Sequence, residues 1–273
     1  PTAQIVLKNG IKIYGGYNPG TGVSDPSKYP TVFSGDTDTN DVNKVAGVVQ
    51  SHEDIRGTNL PRLFHATGLT DVVLQDFTIT AMDQVASHGS AVWQQTSEIT
   101  YNYVNFIGNR ASSLGTVLIY GVDDYAKGWF NYCYFSGNKA GTGAGINPHR
   151  AGHAVVNFSR FENNTATGDG GAIYVNNGPS SVEVAGSTFY KNTAASGGAI
   201  ALAAGSAPST ILNSTFVENS ASDYGGAMRI YSSGNAIKYS TFYDNTANTS
   251  GGAIQNDSGA INTLFGSLVL GNN

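Results

Sequence analysis

Apolar and polar positions along this chain recur with a long, nearly fixed period. The unit Phe-x-x-Asn appears at Phe106/Asn109, Phe135/Asn138, Phe161/Asn164, Phe189/Asn192, Phe216/Asn219 and Phe242/Asn245. Phe77, in Asp76-Phe77-Thr78-Ile79, lies one such period before the series, and Val269, followed by Asn272, lies one period after it. Eleven or twelve residues beyond each phenylalanine a second unit ends, as in Gly170-Gly171-Ala172-Ile173, Gly197-Gly198-Ala199-Ile200, Gly225-Gly226-Ala227-Met228 and Gly251-Gly252-Ala253-Ile254. Degenerate copies end at Val117 and Ile146, and a third apolar stretch recurs as Val182-Glu183-Val184, Thr210-Ile211-Leu212 and Ala236-Ile237.

Self-similarity at such a period is the mark of a solenoid. Three short strands per repeat of about 27 residues stack like upon like, each pairing in parallel with its copy about 4.8 Å away. Phenylalanines, isoleucines and asparagines then form ladders. An asparagine can bond to its copies above and below and tolerates left-handed backbone at a turn. Paired glycines let the chain turn where a Cβ would clash. Pro148, Pro179 and Pro208 are expected in loops. No stretch sustains a capped 3.6-residue period, so a helical reading fails. The predicted fold is all-β, a right-handed parallel β-helix with three sheets and one continuous body. Residues 71–273 form its regular rungs. Residues 1–70 are less regular: Ile11-Lys12-Ile13-Tyr14, Thr31-Val32-Phe33 and Leu63-Phe64 read as strands joined by polar loops at 15–30 and 35–61. This part is expected to include a cap over the open end.

Composition narrows the class. Only 12% of the 273 residues are charged, where about a quarter is usual. The net charge is −5 with scattered basic residues, which leaves no cationic footprint for nucleic acid. There is no apolar run long enough to span a membrane and no signal peptide, so the sequence reads as a trimmed piece of a larger protein, monomeric and without membrane insertion. Cys133 is the single cysteine. The lack of disulfides points to a bacterial or archaeal protein, and Cys133, two residues before Phe135, should face inward like Ser187 and Ser240.

The paired Phe-x-x-Asn and Gly-Gly-Ala-Ile units resemble the repeats of chlamydial polymorphic outer-membrane proteins and related bacterial and archaeal adhesin-like β-helix proteins. The segments Ile11-Lys12-Ile13-Tyr14-Gly15-Gly16-Tyr17, Tyr29-Pro30-Thr31-Val32-Phe33-Ser34-Gly35-Asp36 and Val73-Leu74-Gln75-Asp76-Phe77-Thr78-Ile79-Thr80 are similar to the start of large secreted bacterial β-helix proteins. The resemblance covers nearly the whole chain and implies secretion, surface display and adhesion. Such folds also host polysaccharide-degrading enzymes.

Chemistry of that second kind needs clustered carboxylates, or a base beside charge neutralisation. The candidates are Asp123, Asp124 and His153, in Gly121-Val122-Asp123-Asp124 and Gly152-His153. They faintly resemble the Asp-Asp and Gly-His-Gly elements of polygalacturonases. Here Ala154 replaces the last glycine, and neither Arg-Ile-Lys nor the upstream Asn-Thr-Asp occurs. No complete catalytic set is present. The tandem acids could bind calcium through oxygen ligands; no other cofactor is suggested. His149 and His153 would meet on a helix, but on a rung the intervening Arg-Ala-Gly makes a turn, so no metal site is expected.

If the repeat phenylalanine points inward, the residues one and three before it point outward. One outer column is then Tyr103, Tyr132, Phe158, Gly186, Asn213 and Tyr239, and its neighbour begins Asn105, Tyr134, Arg160. On the next sheet, Leu118 and Asn147 begin one outer column and Tyr120 and His149 another. The loop from Gly121 to Trp129 adds Asp123, Asp124, Tyr125, Lys127 and Trp129. Aromatic faces beside amides and charges suit sugar rings, whose apolar faces stack while their hydroxyls hydrogen-bond. The expected ligand site is therefore Tyr103, Tyr120, Asp123, Asp124, Tyr125, Lys127, Trp129, Tyr132, Tyr134, His149, Phe158 and Arg160. The function this implies is non-catalytic recognition of a glycan or surface glycoprotein by a secreted or cell-surface adhesin. A polysaccharide lyase or glycoside hydrolase, and a structural stalk, stand as alternatives.

Overall fold

The computed structural model describes residues 4–86, 88–122, 125–257 and 259–273. Three parallel nine-stranded sheets wind round one core. Sheet 1 contains Val92–Gln95, Val117–Tyr120 and Ile146–His149. Sheet 2 contains Glu98–Asn102, Ala126–Asn131 and Gly152–Asn157. Sheet 3 contains Asn105–Ile107, Tyr134–Ser136 and Arg160–Glu162. Among the described residues there is no α-helix, only a 3-10 turn at His52–Asp54 closed by a Ser51/Asp54 capping box.

Alternation sends every second side chain inward, and stacking places copies over one another. Phe106, Phe135, Phe161, Phe189, Phe216 and Phe242 form one column of fully buried parallel rings, with centroids 4.5 to 4.9 Å apart. Each such ring contributes roughly 1.5–3 kcal/mol of burial. The column continues to Ile79 and Phe33 on one side and Val269 on the other. Phe77 is therefore not a rung of it. Its ring is buried among Phe33 and Phe64, because Phe106 takes Ile79 as its partner in the preceding rung.

The asparagine ladder is continuous, and wholly buried from Asn109 to Asn245. From Asn109 to Asn245, each side-chain amide donates to the Oδ1 of the next at 2.9 to 3.0 Å, and the last step, Asn245 to Asn272, is 2.8 Å. Each also donates to a backbone carbonyl near the preceding rung's phenylalanine, as Asn164 does to Phe135 O at 2.9 Å. The left-handed residue is not this asparagine but the one before it: Gly108, Gly137, Asn163, Lys191, Glu218 and Asp244. In the Gly-Gly unit the first glycine is left-handed, as at Gly197 (φ 63°). The second lies against the next rung, where a Cβ on Gly198 would sit 2.1 Å from Gly226 O.

Two features differ from the sequence reading. A fourth sheet of seven short strands follows the asparagine ladder, because each asparagine leads into a segment whose alanine (Ala111, Ala140, Ala166, Ala194, Ala221) turns inward and is buried. Pro148 lies inside strand Ile146–His149 instead of a loop, and there the pairing with the next strand holds only at Ile146↔Ile173.

Strands Ile5–Val6, Lys12–Tyr14 and Val32–Ser34 form the first rung. Its two insertions, 15–31 and 35–61, run along the flank of the following rungs. In the second insertion, Val49 and Ile55 bury against Ala81, and the His52 amide donates to Gly137 O at 2.8 Å. The rungs it covers carry Gly108 and Gly137 where later rungs carry Asn163, Lys191 or Glu218. A Cβ on Gly137 would stand 2.3 Å from Gln50 O.

Candidate ligand-binding site

Between sheets 2 and 3 each rung turns through one residue in the left-handed region: Tyr103 (φ 53°), Tyr132 (φ 55°) and Phe158 (φ 50°), then Gly186 and Asn213. Glycine and asparagine suit that conformation; bulky aromatic residues do so only at a cost of order 1 kcal/mol or more. The sequence placed this column on a strand face, whereas the turn sets it on a corner. There Tyr103 and Tyr132 stack at 5.0 Å and 8°, and Tyr132 and Phe158 at 5.3 Å and 15°. The three side chains are 52%, 50% and 58% exposed. Phe158 lies over Gly186, where a Cβ would come within 2.7 Å of its ring, so the aromatic run ends on a residue with no side chain.

A second ladder runs beside the rings. Asn157 Nδ2 donates to Asn131 Oδ1 at 3.0 Å and Asn131 Nδ2 to Asn102 Oδ1 at 2.9 Å, on the outer edge of sheet 2. The first insertion then supplies a wall. The Gly15 amide donates to Gln75 O, the Gly16 amide to Thr31 Oγ1 at 3.0 Å, and the Asp25 amide to Gly16 O at 2.7 Å. This anchoring leaves a cleft of about 520 Å³ between Asp25, Pro26, Ser27, Pro30 and Thr31 on one side and Asp76, Thr78, Tyr103, Asn105 and Tyr132 on the other. The Ser27 hydroxyl and Lys28 amide hold the Asp25 carboxyl below its ordinary range. Sequence reasoning missed the insertion residues and Asp76. The available signal was Gly15-Gly16, whose tight backbone only a chain folded back on itself requires: a Cβ on Gly16 would meet Pro26 at 2.6 Å.

The remaining expected residues fall into separate groups. On the outer face of sheet 2, Lys127 Nζ lies 4.9 Å from the Trp129 ring centroid. His153 lies under Tyr125 at 6.0 Å, with Nδ1 2.5 Å from Ser181 Oγ and Nε2 3.3 Å from Glu183 Oε1. Burial, then Lys127, keep its pKa below the ordinary value despite Glu183. On sheet 3, Tyr134 OH and Arg160 Nε both donate to Glu162 Oε2, at 3.0 and 2.8 Å. Burial alone would raise the Glu162 carboxyl, but these two hydrogen bonds hold it below its usual range. Asp123 and Asp124 lie outside the described residues. Cys133 is buried, and burial pushes its thiol up to about 12.

Tyr120 and His149 stack at 5.3 Å, with Arg150 over Tyr120, at the end of the sheet 1 strands, where the chain turns toward the far edge of sheet 2. The six-residue strand Ala126–Asn131 separates the two edges, about 20 Å at the usual rise. Sequence reasoning also passed over Trp93, which stacks on His65 at 5.2 Å beneath the Arg62 guanidinium. Leu118 and Asn147, expected outside, are fully buried: Gly89 packs against Leu118, and Asn147 Nδ2 donates to Thr142 O and Oγ1. The rungs thus fold their own loops over much of sheet 1. The described residues contain no cluster of three or more His, Cys, Asp or Glu side chains suited to a metal ion, and no helix long and apolar enough to cross a membrane.

The stacked parallel sheets and the aromatic corner define a β-solenoid. The family of right-handed beta helix regions matches residues 130–273, just over half of the chain. This chain belongs to that family. Neither the curated proteins nor the solved structures gave a match.

Proposed function

We propose that this β-helix is a non-catalytic glycan-binding domain of a secreted or surface-displayed adhesin, recognising a carbohydrate or glycoprotein on its sheet 2–3 corner. One observation carries the reading: three half-exposed aromatic rings, held in an unfavourable backbone conformation, stack beside an amide ladder and one wall of a cleft. The open face of Tyr103 offers a stacking surface, the edges of Tyr132 and Phe158 extend it as an apolar strip, and the amides supply the hydrogen bonds that a sugar requires. The repeats' likeness to adhesin-type β-helices supports the same reading. Glycan-array binding by the wild-type domain, reduced at least tenfold in Tyr132→Ala, is the expected result. Undiminished binding in Tyr132→Ala removes this site.

A catalytic reading, as a polysaccharide lyase or hydrolase, keeps one observation, the Ser181–His153–Glu183 contacts beneath Tyr125. Release of reducing or unsaturated ends from a polysaccharide, abolished in Glu183→Gln, would establish it.

A further inference from the structure

The corner cleft is charged with one sign only. Among the described residues lining it, Asp25 and Asp76 are the carboxylates, and there is no lysine, arginine or histidine. Asp25 is fixed by hydrogen bonds from Ser27 Oγ (2.6 Å) and Lys28 N (3.2 Å), and Asp76 accepts from Gln75 Nε2 at 2.7 Å. Both carboxylates keep lone pairs free, since an ionised carboxylate accepts at about four sites. Basic side chains of neighbouring segments are engaged elsewhere: Arg160 with Glu162, and Lys28 over Tyr29.

A ligand on the face of Tyr103 that Tyr132 leaves open lies in the cleft that both carboxylates line, while Asn105 supplies an amide already bonded to Thr78 Oγ1 at 3.2 Å. A uronic or sialic acid would bring its own negative charge there unpaired, which costs affinity. A sugar amine would gain two charge-assisted acceptors. The open face of Tyr103 also attracts a cation.

From this we infer that the cleft selects neutral and amine-bearing sugars, with amino sugars preferred, and rejects acidic polysaccharides. The inference rests on the glycan reading above and specifies its ligand class.

Three probes of equal length separate the cases: a chitosan hexamer, the fully N-acetylated chitin hexamer and an oligogalacturonate. Titration is done at mildly acidic pH, where the sugar amine is protonated and carboxylates are ionised. The chitosan hexamer should bind about five- to tenfold more tightly than the chitin hexamer, with no binding of the oligogalacturonate. Asp25→Asn/Asp76→Asn should abolish the preference, so that the chitosan and chitin hexamers bind this variant equally. Asparagine tolerates the left-handed backbone of Asp76 (φ 58°) and still accepts the Ser27 and Gln75 bonds, and unchanged thermal melting verifies the fold. Oligogalacturonate binding equal to chitosan, no response to the double substitution, or binding abolished by a calcium chelator would each overturn the selectivity. Failure of all three probes together with an empty glycan array would instead remove the glycan reading from which it starts.

Discussion

Asn164 and Asn192 are joined through the core: the side-chain amide of one donates to Oδ1 of the other at 2.9 Å, and both are wholly buried. The same Oδ1 of Asn192 also accepts from the Asn164 backbone amide at 3.1 Å. Removing it strands two donors on Asn164, and the Phe161 carbonyl loses the donor that Asn192 supplies. Asn192→Ala should therefore destabilise the domain by about 3 kcal/mol, since each orphaned buried group costs roughly 1–3 kcal/mol. Chemical denaturation measures it. A loss below the about 0.5 kcal/mol typical of surface sites would show that the ladder is not structural.

The second insertion is held by the absence of a side chain. Gly137→Asn places a Cβ against Gln50 O, although the backbone conformation itself accepts asparagine, as Asn163 shows one rung later. Limited proteolysis should open new cleavage within residues 42–56 in this variant, with the rungs intact. Asn163→Gly should leave the digestion pattern unchanged. Equal patterns for both variants would mean that the insertion is anchored elsewhere.

All five histidines (52, 65, 88, 149 and 153) have pKa values below the ordinary 6.5, burial being the largest cause in each. The unfolded chain thus binds protons more readily than the folded one. The stability from neutral histidines is complete above pH 6.5 and is lost as pH falls through that value toward the lower folded pKa values. Melting temperature should be higher at about pH 7.5 than at about pH 5.5, and His52→Gln, whose Nδ1 lies 3.3 Å from Gly137 O, should flatten the difference. A flat profile in the wild type would contradict these burial assignments.

What the sequence made legible follows from periodicity. Phe161, Phe189 and Phe216 repeat with their flanking asparagines, so their stacking and burial could be read directly, as could the inward turn of Cys133 beside Ser159, whose Oγ accepts the Cys133 amide at 3.0 Å. Alternation alone could not show that Tyr103 and Tyr132 occupy a left-handed turn, because a two-residue period looks the same across a corner as along a strand. It also misplaced Phe77, an inward residue one step off the ladder. The cleft wall was unreadable because Asp25 to Thr31 have no copy in another rung to fix their register. Their position comes from contacts that Gly15 and Gly16 make with Asp76, Thr31 and Pro26, far along the chain.

Titration of the best-binding glycan against two single-ring variants tests the corner most directly. Tyr132→Ala should weaken binding at least tenfold, about 1.4 kcal/mol, while Trp93→Ala, which removes the half-buried ring stacked on His65 on sheet 1, should leave it within about twofold. The reverse outcome, with Tyr132→Ala silent and Trp93→Ala impaired, would move the binding surface to sheet 1 and contradict the account.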